Sequence, residues 1–180
     1  MSRSRPSAKR RKILTALTLT ALCGNLPTLG EVPPSSLTAD RLVRMSPSEL
    51  DLLYRNAAPG PLPRGRVRGR VLIDPGANYA PAVSNAARVW WQGKVFSDDG
   101  TSAVNRFLGV RIVKGKLYLA PSWIDGRPSV ILDYHDTSLV YRRYRDEIRQ
   151  VAPGLYLGAM YARTEPKPTF KMYFALETNR

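Results

Sequence analysis

From Arg64 onward, apolar and polar residues alternate in short segments that are separated by turn-forming residues. Alternation with a period of two is typical of strands with one buried face. No segment between these strands is a helix long enough for a parallel crossover. The pattern therefore predicts an all-β fold, an antiparallel up-and-down barrel of about eight strands with a short N-terminal helix. The predicted strands cover residues 64–73, 88–96, 110–113, 116–123, 129–134, 142–151, 155–161 and 169–177.

The segment 142–161 has a feature that ordinary half-buried strands lack. Its first strand carries charge on both faces, and its second, after the turn at Pro153 and Gly154, is almost wholly apolar. Tyr144, Asp146 and Ile148 share one face, which we expect to be interior. The other face, with Arg145, Glu147 and Arg149, is then expected on the solvent side. This arrangement predicts a sheet that curls around a partly polar interior.

The intervening segments give weaker signals. Residues 77–87 are predicted to be irregular or briefly helical, and 104–109 to form a loop or a helical turn. A hairpin turn is predicted at Lys114 and Gly115. Upstream, Ser46 can cap a helix that begins at Pro47, and Glu49 completes a capping box. This helix, predicted to end near Asn56, would cover one mouth or one side of the barrel, and residues 37–44 would add a helical turn or two.

The N-terminal segment 1–30 is predicted to be an export signal peptide, followed by a linker and short helix over 31–63 and the barrel over 64–180. Its start is basic, and the run from Ile13 to Cys23 is apolar but too short for a membrane span. Arg10, Arg11 and Lys12 resemble a twin-arginine motif. We therefore expect an exported protein, periplasmic or secreted. The alternative is a cytosolic protein with a basic tail.

Composition narrows the chemistry. The net charge is +14, of which residues 1–30 contribute six basic residues and no acid. The remaining +8 does not require a nucleic-acid partner, and no nucleic-acid fold signature is present. Cys23 is the single cysteine and His135 the single histidine, so neither a disulfide within the chain nor a metal site built on cysteines or several histidines is expected. No cofactor is predicted.

Several short motifs resemble lipocalin-like barrels, in particular a small group of uncharacterised barrel proteins that open with G-x-W-x-G. Gly65 and Gly69 supply the two glycines, with Val67 at the tryptophan position. The segment 91–96 resembles that group's W-x-G-K-x-F motif, and 125–134 its D-x-x-P strand. Gly158-Ala159-Met160 and the closing 173–176 follow in the same order. The resemblance covers roughly residues 64–177 and implies a barrel without a known activity.

The candidate site is the barrel interior. Asp146 lies among inward-looking neighbours, where a carboxylate must be paired or have a shifted pKa. Asp133 is expected nearby, and the weak candidates for catalysis are Asp133, Asp146 and Tyr134. His135 and Ser138 lack the spacing of a nucleophile–base pair. A purely structural polar network is the alternative. The predicted ligand-binding residues are Trp91, Tyr118, Trp123, Asp133, Tyr144, Asp146 and Met160.

Three functions follow, in order of preference. The first is non-covalent binding of a small, partly hydrophobic, lipid-like ligand. The second is a barrel enzyme of the isomerase or hydrolase type that uses the interior acids. The third is a peripheral protein that adheres weakly to an anionic surface through arginines. A monomer is expected, because a closed barrel leaves no strand edge free. The arginines are Arg64, Arg66, Arg68, Arg70, Arg142 and Arg143.

Overall fold

A computed structural model describes residues 37–178, and the predicted leader lies outside the described residues. Eight antiparallel strands form one closed up-and-down barrel, in which each strand pairs with its neighbours in sequence and β1 pairs with β8. The predicted fold class is confirmed. The strands are β1 (Gly65–Leu72), β2 (Trp91–Phe96), β3 (Ser102–Phe107), β4 (Val110–Pro121), β5 (Pro128–Asp133), β6 (Tyr144–Ala152), β7 (Leu155–Ala162) and β8 (Thr169–Thr178).

Two short helices, α1 (Ala39–Arg44) and α2 (Pro47–Asn56), precede the barrel. The predicted capping box of α2 is present: the Ser46 hydroxyl accepts from the Glu49 amide, and the Glu49 carboxylate accepts from the Ser46 amide. The two helices lie against the outside of the barrel, where α1 contacts β1 and β8 and α2 contacts β6. Leu42, Leu50 and Tyr54 are fully buried there.

A third helix, α3 (Ala80–Trp90), occupies most of the segment predicted to be irregular or briefly helical. Its four alanines favour a helix, and proline is tolerated in its first turn. Trp90 consequently ends a helix instead of lying in a strand, and β2 begins at Trp91. The helix packs against β1 and β2.

The region 102–121 corrects two predictions. β3 occupies the place of the predicted loop, and the turn lies at Leu108 and Gly109, both with positive φ, instead of at Lys114 and Gly115. Gly115 lies inside β4, where a Cβ would be 2.6 Å from Leu132. This glycine therefore gives room to a neighbouring side chain and does not form a turn. The predicted number of strands was right because two errors cancelled. β3 was missed, and β4 was predicted as two strands.

The interior of the barrel differs between its two ends. Large apolar side chains fill the end at which β1 begins; they include Val67, Phe96, Leu117, Ile148 and Leu176. We call the opposite end the open end. It carries α3, the Leu108–Gly109 turn and the loops 134–143 and 163–168.

Both faces of β6 are buried, so the expected solvent face was wrong. Glu147 is completely buried on the outer face: it accepts from the Ser122 hydroxyl at 2.5 Å, from the Trp123 amide at 2.9 Å, and pairs with Arg145 at 2.9 Å. Arg149 pairs with both oxygens of Asp125 at 2.7 Å. The outer face is covered by the 122–127 turn and by α2, whose Tyr54 ring lies 4.5 Å from the Arg149 guanidinium.

The expected basic face of β1 is only partly exposed. Arg66 and Arg68 face solvent, but Arg70 is buried. Its guanidinium lies 2.8 Å from Asp40 of α1 and donates to Ser84 of α3 at 2.7 Å. Arg70 thereby links α1 and α3 to the barrel.

Candidate functional site

A cavity of about 310 Å³ lies in the half of the barrel nearer the open end. Its volume is at the small end of the range for ligand pockets. Most of its wall is apolar and comes from six strands, from α3 and from the loop 134–143. The apolar and aromatic lining includes Val71, Trp90, Trp91, Phe107, Tyr141, Met160, Met172 and Phe174.

One ion pair crosses the barrel at the bottom of this cavity. The Lys94 Nζ on β2 lies 2.8 Å from Oδ2 of Asp146 on β6, and both side chains are almost completely buried. In an eight-stranded barrel, strands β2 and β6 are four positions apart and therefore face each other across the interior. The pair separates the filled half of the barrel from the cavity.

Three further side chains complete what we call the floor cluster: Tyr134, Asn105 and Trp91. The Lys94 ammonium donates to Asn105 Oδ1 at 2.8 Å, to the Tyr134 hydroxyl at 3.0 Å and to Asp146 Oδ2 at 2.8 Å. These three hydrogen bonds use all three N–H donors of the ammonium. Tyr134 donates to Asp146 Oδ2 at 2.6 Å. Asn105 accepts from Trp91 Nε1 at 3.0 Å and donates to Tyr134 and to the Val113 carbonyl. The hydrogen-bonding groups of these four residues are thus satisfied within the cluster and by one backbone carbonyl.

Asp146 Oδ1 is different. Within residues 37–178 this oxygen accepts no hydrogen bond, because Lys94 and Tyr134 both donate to Oδ2. It is not closed off from solvent. Asp146 also lines the cavity. A carboxylate oxygen in such a place is an acceptor available to a ligand. It is the one unused hydrogen-bonding position that the floor cluster offers to the cavity.

Burial governs the electrostatics of the floor cluster. Removal from water lowers the pKa of the Lys94 ammonium, and the Asp146 carboxylate opposes this shift. The ammonium also lies 5.1 Å from the Phe174 ring centroid and 5.4 Å from that of Trp91, which favours its charged form. Burial, and secondly the nearby Asp146, raises the pKa of Tyr134 well above its usual value. Tyr134 therefore remains a neutral donor at physiological pH.

Local backbone geometry puts Trp91 and Lys94 on the same inward face although they are three residues apart. The register of β2 against β3 shifts between Trp91 and Gly93. Gly93 has φ +109°, and a Cβ there would lie 2.2 Å from the Val67 carbonyl oxygen, so only glycine fits. The segment that resembles W-x-G-K-x-F thus supplies two members of the floor cluster and the glycine that aligns them.

The structure brings together only part of the predicted site. Asp146, Tyr134, Trp91 and Met160 line the cavity. Tyr144 follows on the same inward face of β6, nearer the open end, with its ring 5.5 Å from Tyr141.

Three predicted site residues lie on the outer surface. Asp133 pairs with Arg163 at 2.6 Å and accepts from the Tyr118 hydroxyl at 2.8 Å, so neither acid nor tyrosine reaches the cavity. The Trp123 ring contacts Tyr161 and the Arg145 guanidinium, also outside the barrel. The expectation of two neighbouring interior acids was wrong, because Asp133 alternates with the inward-facing Leu132, which pairs with Asp146.

Sequence reasoning missed Lys94, Asn105 and Phe174. Lys94 carried a signal, because it shares a strand face with Phe96 and an aromatic residue of that kind is normally buried. Asn105 had none, since its segment was predicted to be a loop. Phe174 was assigned no role beyond lying in the last predicted strand. Its ring lies where a side chain at Gly158 would be, 2.1 Å from an added Cβ.

Neither a metal site nor a membrane-spanning helix is found in residues 37–178. No three His, Cys, Asp or Glu side chains in this range are grouped closely enough to hold a metal ion. None of its helices is long and apolar enough to cross a bilayer.

The fold and cavity define the class as a closed, eight-stranded antiparallel barrel with an interior cavity. A crystal structure of a protein from Thermomonospora curvata is similar, with a TM-score of 0.50 and 19% identity over 76% of this chain and 90% of that one. At this identity the likeness concerns the fold alone. No protein-family model and no curated protein matches the chain.

Proposed function

We propose that the barrel binds a small, mainly apolar molecule non-covalently in the cavity at its open end. The observation that carries this proposal is an apolar cavity of about 310 Å³ whose floor offers one unused acceptor, Asp146 Oδ1. Apolar walls with a few placed polar groups are typical of ligand sites.

The floor cluster selects the class of ligand. Lys94 neutralises Asp146, so a cationic head group would bring an unbalanced charge into a buried site. An ionised carboxylate carries no donor and would face the acceptor oxygen without a hydrogen bond. A neutral hydroxyl or N–H group satisfies Oδ1 at no charge cost. The ligand is therefore a neutral, lipid-like molecule with one hydrogen-bond donor at its buried end.

Catalysis is the weaker proposal. With Asp133 on the outer surface, Asp146 is the single acid within residues 37–178 that lines the cavity. Each donor of Lys94 is already used within the floor cluster, which leaves no free amine to attack a substrate. An isomerase that uses Asp146 as its base would need only one acid, whereas a hydrolase with a pair of acids is not supported.

The test compares ligands that differ only in their head group. Tryptophan fluorescence is recorded while an n-alkanol, the n-alkylamine and the n-alkanoate of the same chain length are added, because Trp90 and Trp91 line the cavity. The alcohol is expected to bind at least about tenfold more tightly than either ion, the factor that one unsatisfied buried group costs. Native mass spectrometry of the purified protein should find a neutral molecule of this kind.

A matched pair of variants links the signal to the cavity. Met160→Trp places a larger side chain in the cavity wall and should abolish binding. Tyr118→Phe alters a tyrosine on the outer surface and should leave binding unchanged. Equal affinity for all three head groups, or normal binding by Met160→Trp, would refute the proposed site.

A further inference from the structure

Exposed apolar side chains are concentrated at the open end. Leu139 is 90% exposed and Val140 80%, both at the tip of the loop 134–143. Val89 and Trp90 at the end of α3 are 70% and 61% exposed, and Leu108 in the β3–β4 turn is 56% exposed. Large apolar side chains that project together from loop tips mark an interaction surface.

These tips belong to one continuous surface. The Leu108 amide donates to the Trp90 carbonyl at 3.0 Å, which joins the β3–β4 turn to α3. The loop 134–143 reaches the same place, because the Tyr141 and Phe107 rings are 6.2 Å apart. Since Trp90, Phe107 and Tyr141 also line the cavity, the surface surrounds its mouth.

Basic residues alternate with the apolar tips. Arg88 precedes Val89, Arg111 follows Val110, and Arg142 with Arg143 follows Val140; all four arginines are exposed. The acids in the open-end loops are Asp74, Asp136 and Glu165. A depression of about 470 Å³ beside the loop tip is lined by His135, Leu139, Val140, Arg142, Arg143 and Arg163. It combines cationic groups with aliphatic side chains.

We propose that the open end docks on an anionic lipid bilayer. Leu139, Val140 and Trp90 enter the interface between head groups and acyl chains, and the arginines contact lipid phosphates. The mouth of the cavity then faces the bilayer, and a lipid-like ligand passes between membrane and barrel without crossing water. This consequence rests on the proposed function, whereas the docking itself does not.

Charge decides against the other occupants of this surface. A second copy of the chain would be repelled by the open-end arginines, because the chain has a net charge of +14. The N-terminal segment 1–30 would be repelled as well, because it carries six basic residues and no acid. A nucleic acid would match the charge but leave the aliphatic tips Leu139 and Val140 without apolar contact. An anionic bilayer satisfies both the charge and the apolar side chains.

The experiment uses the full chain and vesicles of phosphatidylcholine, alone or mixed with phosphatidylglycerol. Pelleting should show binding to the mixed vesicles only. Arg142→Ser with Arg143→Ser should lower affinity about thirtyfold, about fivefold per arginine. Leu139→Ser with Val140→Ser should lower it about tenfold or more. Brominated acyl chains should quench tryptophan fluorescence in the wild type, because Trp90 enters the bilayer.

Matched controls lie away from the open end. Leu119→Ser removes a leucine that is 68% exposed on β4, and Arg66→Ser with Arg68→Ser removes two exposed arginines of β1. Both should bind vesicles like the wild type. Binding that is insensitive to the open-end variants, or weakened equally by the controls, overturns the docking. So does a duplex DNA affinity that the open-end variants lower while vesicle binding is unchanged.

The two proposals fail separately. Binding of the n-alkanol in solution without vesicle binding would refute the docking and leave the ligand site intact. Vesicle binding that is unaffected by Met160→Trp, together with no alkanol binding by the wild type, would refute the ligand site and leave the docking.

Discussion

The Lys94 ammonium and the Asp146 carboxylate meet at 2.8 Å across the inside of the barrel, from strands that are four positions apart. Their pairing explains how an acid is kept in an otherwise apolar interior. Burying the two charges is costly, and the geometry and additional hydrogen bonds of the floor cluster offset that cost. The pair also fixes where the filled half of the barrel ends and the cavity begins.

A double-mutant cycle should show strong coupling between these two residues. Asp146→Asn or Lys94→Met alone leaves a buried charge without its partner, and each should lower the free energy of unfolding by about 3–5 kcal/mol. Lys94→Met combined with Asp146→Asn removes both charges, and the double variant should be clearly more stable than the sum of the two single changes predicts. Urea unfolding measures all four proteins, and simple additivity would show that the two residues do not act as a pair.

Glu147→Gln should be about as damaging as Asp146→Asn, although the two residues point to opposite faces. Its carboxylate is completely buried and accepts from Ser122 and Trp123 while pairing with Arg145. We expect a loss of about 3–5 kcal/mol in urea unfolding. Asp98→Asn, at an exposed position, serves as the neutral control. A Glu147→Gln protein as stable as this control would place Glu147 in solvent.

The three arginines of β1 should respond differently to substitution by serine. Arg66→Ser and Arg68→Ser should each change stability by less than about 0.5 kcal/mol, because their side chains are exposed. Arg70→Ser should cost about 1–3 kcal/mol, since Ser84 loses a donor and α1 loses its link through Asp40. Thermal unfolding followed by circular dichroism measures the difference. Equal melting temperatures for all three variants would argue against the buried placement of Arg70.

Stability should fall as the pH rises above 10. Burial raises the pKa of Tyr54 from 10.0 to about 12, so the folded state retains a proton that the unfolded state loses. The stabilisation from this group is complete below pH 10 and is lost between pH 10 and 12, roughly 3 kcal/mol in all. The lowered pKa of Lys94 has the opposite effect, because stability rises with pH while the unfolded state still binds the proton that the folded state has lost. This effect ends near pH 10.5, the pKa of lysine in the unfolded chain.

Tyr54→Phe isolates this contribution. The variant loses the 2.8 Å hydrogen bond to Ser129 and should be less stable at pH 8. Its stability should nevertheless decline less steeply than that of the wild type between pH 10 and 12 in urea unfolding. If stability falls equally steeply with pH in the wild type and in Tyr54→Phe, ionisation of the Tyr54 hydroxyl does not cause the loss.

The sequence predicted the barrel because alternation along a strand is a local property. The strands β5 to β8 and the helix α2 were located closely, since each is bounded by turn residues or by a capping box. The strands in segment 102–121 were predicted wrongly because glycine has two structural roles there. Gly109 forms a turn, whereas Gly115 makes room for Leu132 inside a strand, and composition alone does not distinguish these uses.

The sequence by itself also determined which residues of β6 share a strand face, and it placed Asp146 on the interior one. It did not determine the partner of Asp146, because Lys94 is 52 residues away and meets it only when the barrel closes. Nor did it determine what covers the outer face of β6. A period of two assigns side chains to two faces, but α2 and the 122–127 turn decide that both are buried. That decision belongs to tertiary packing, which brings together segments that are distant along the chain.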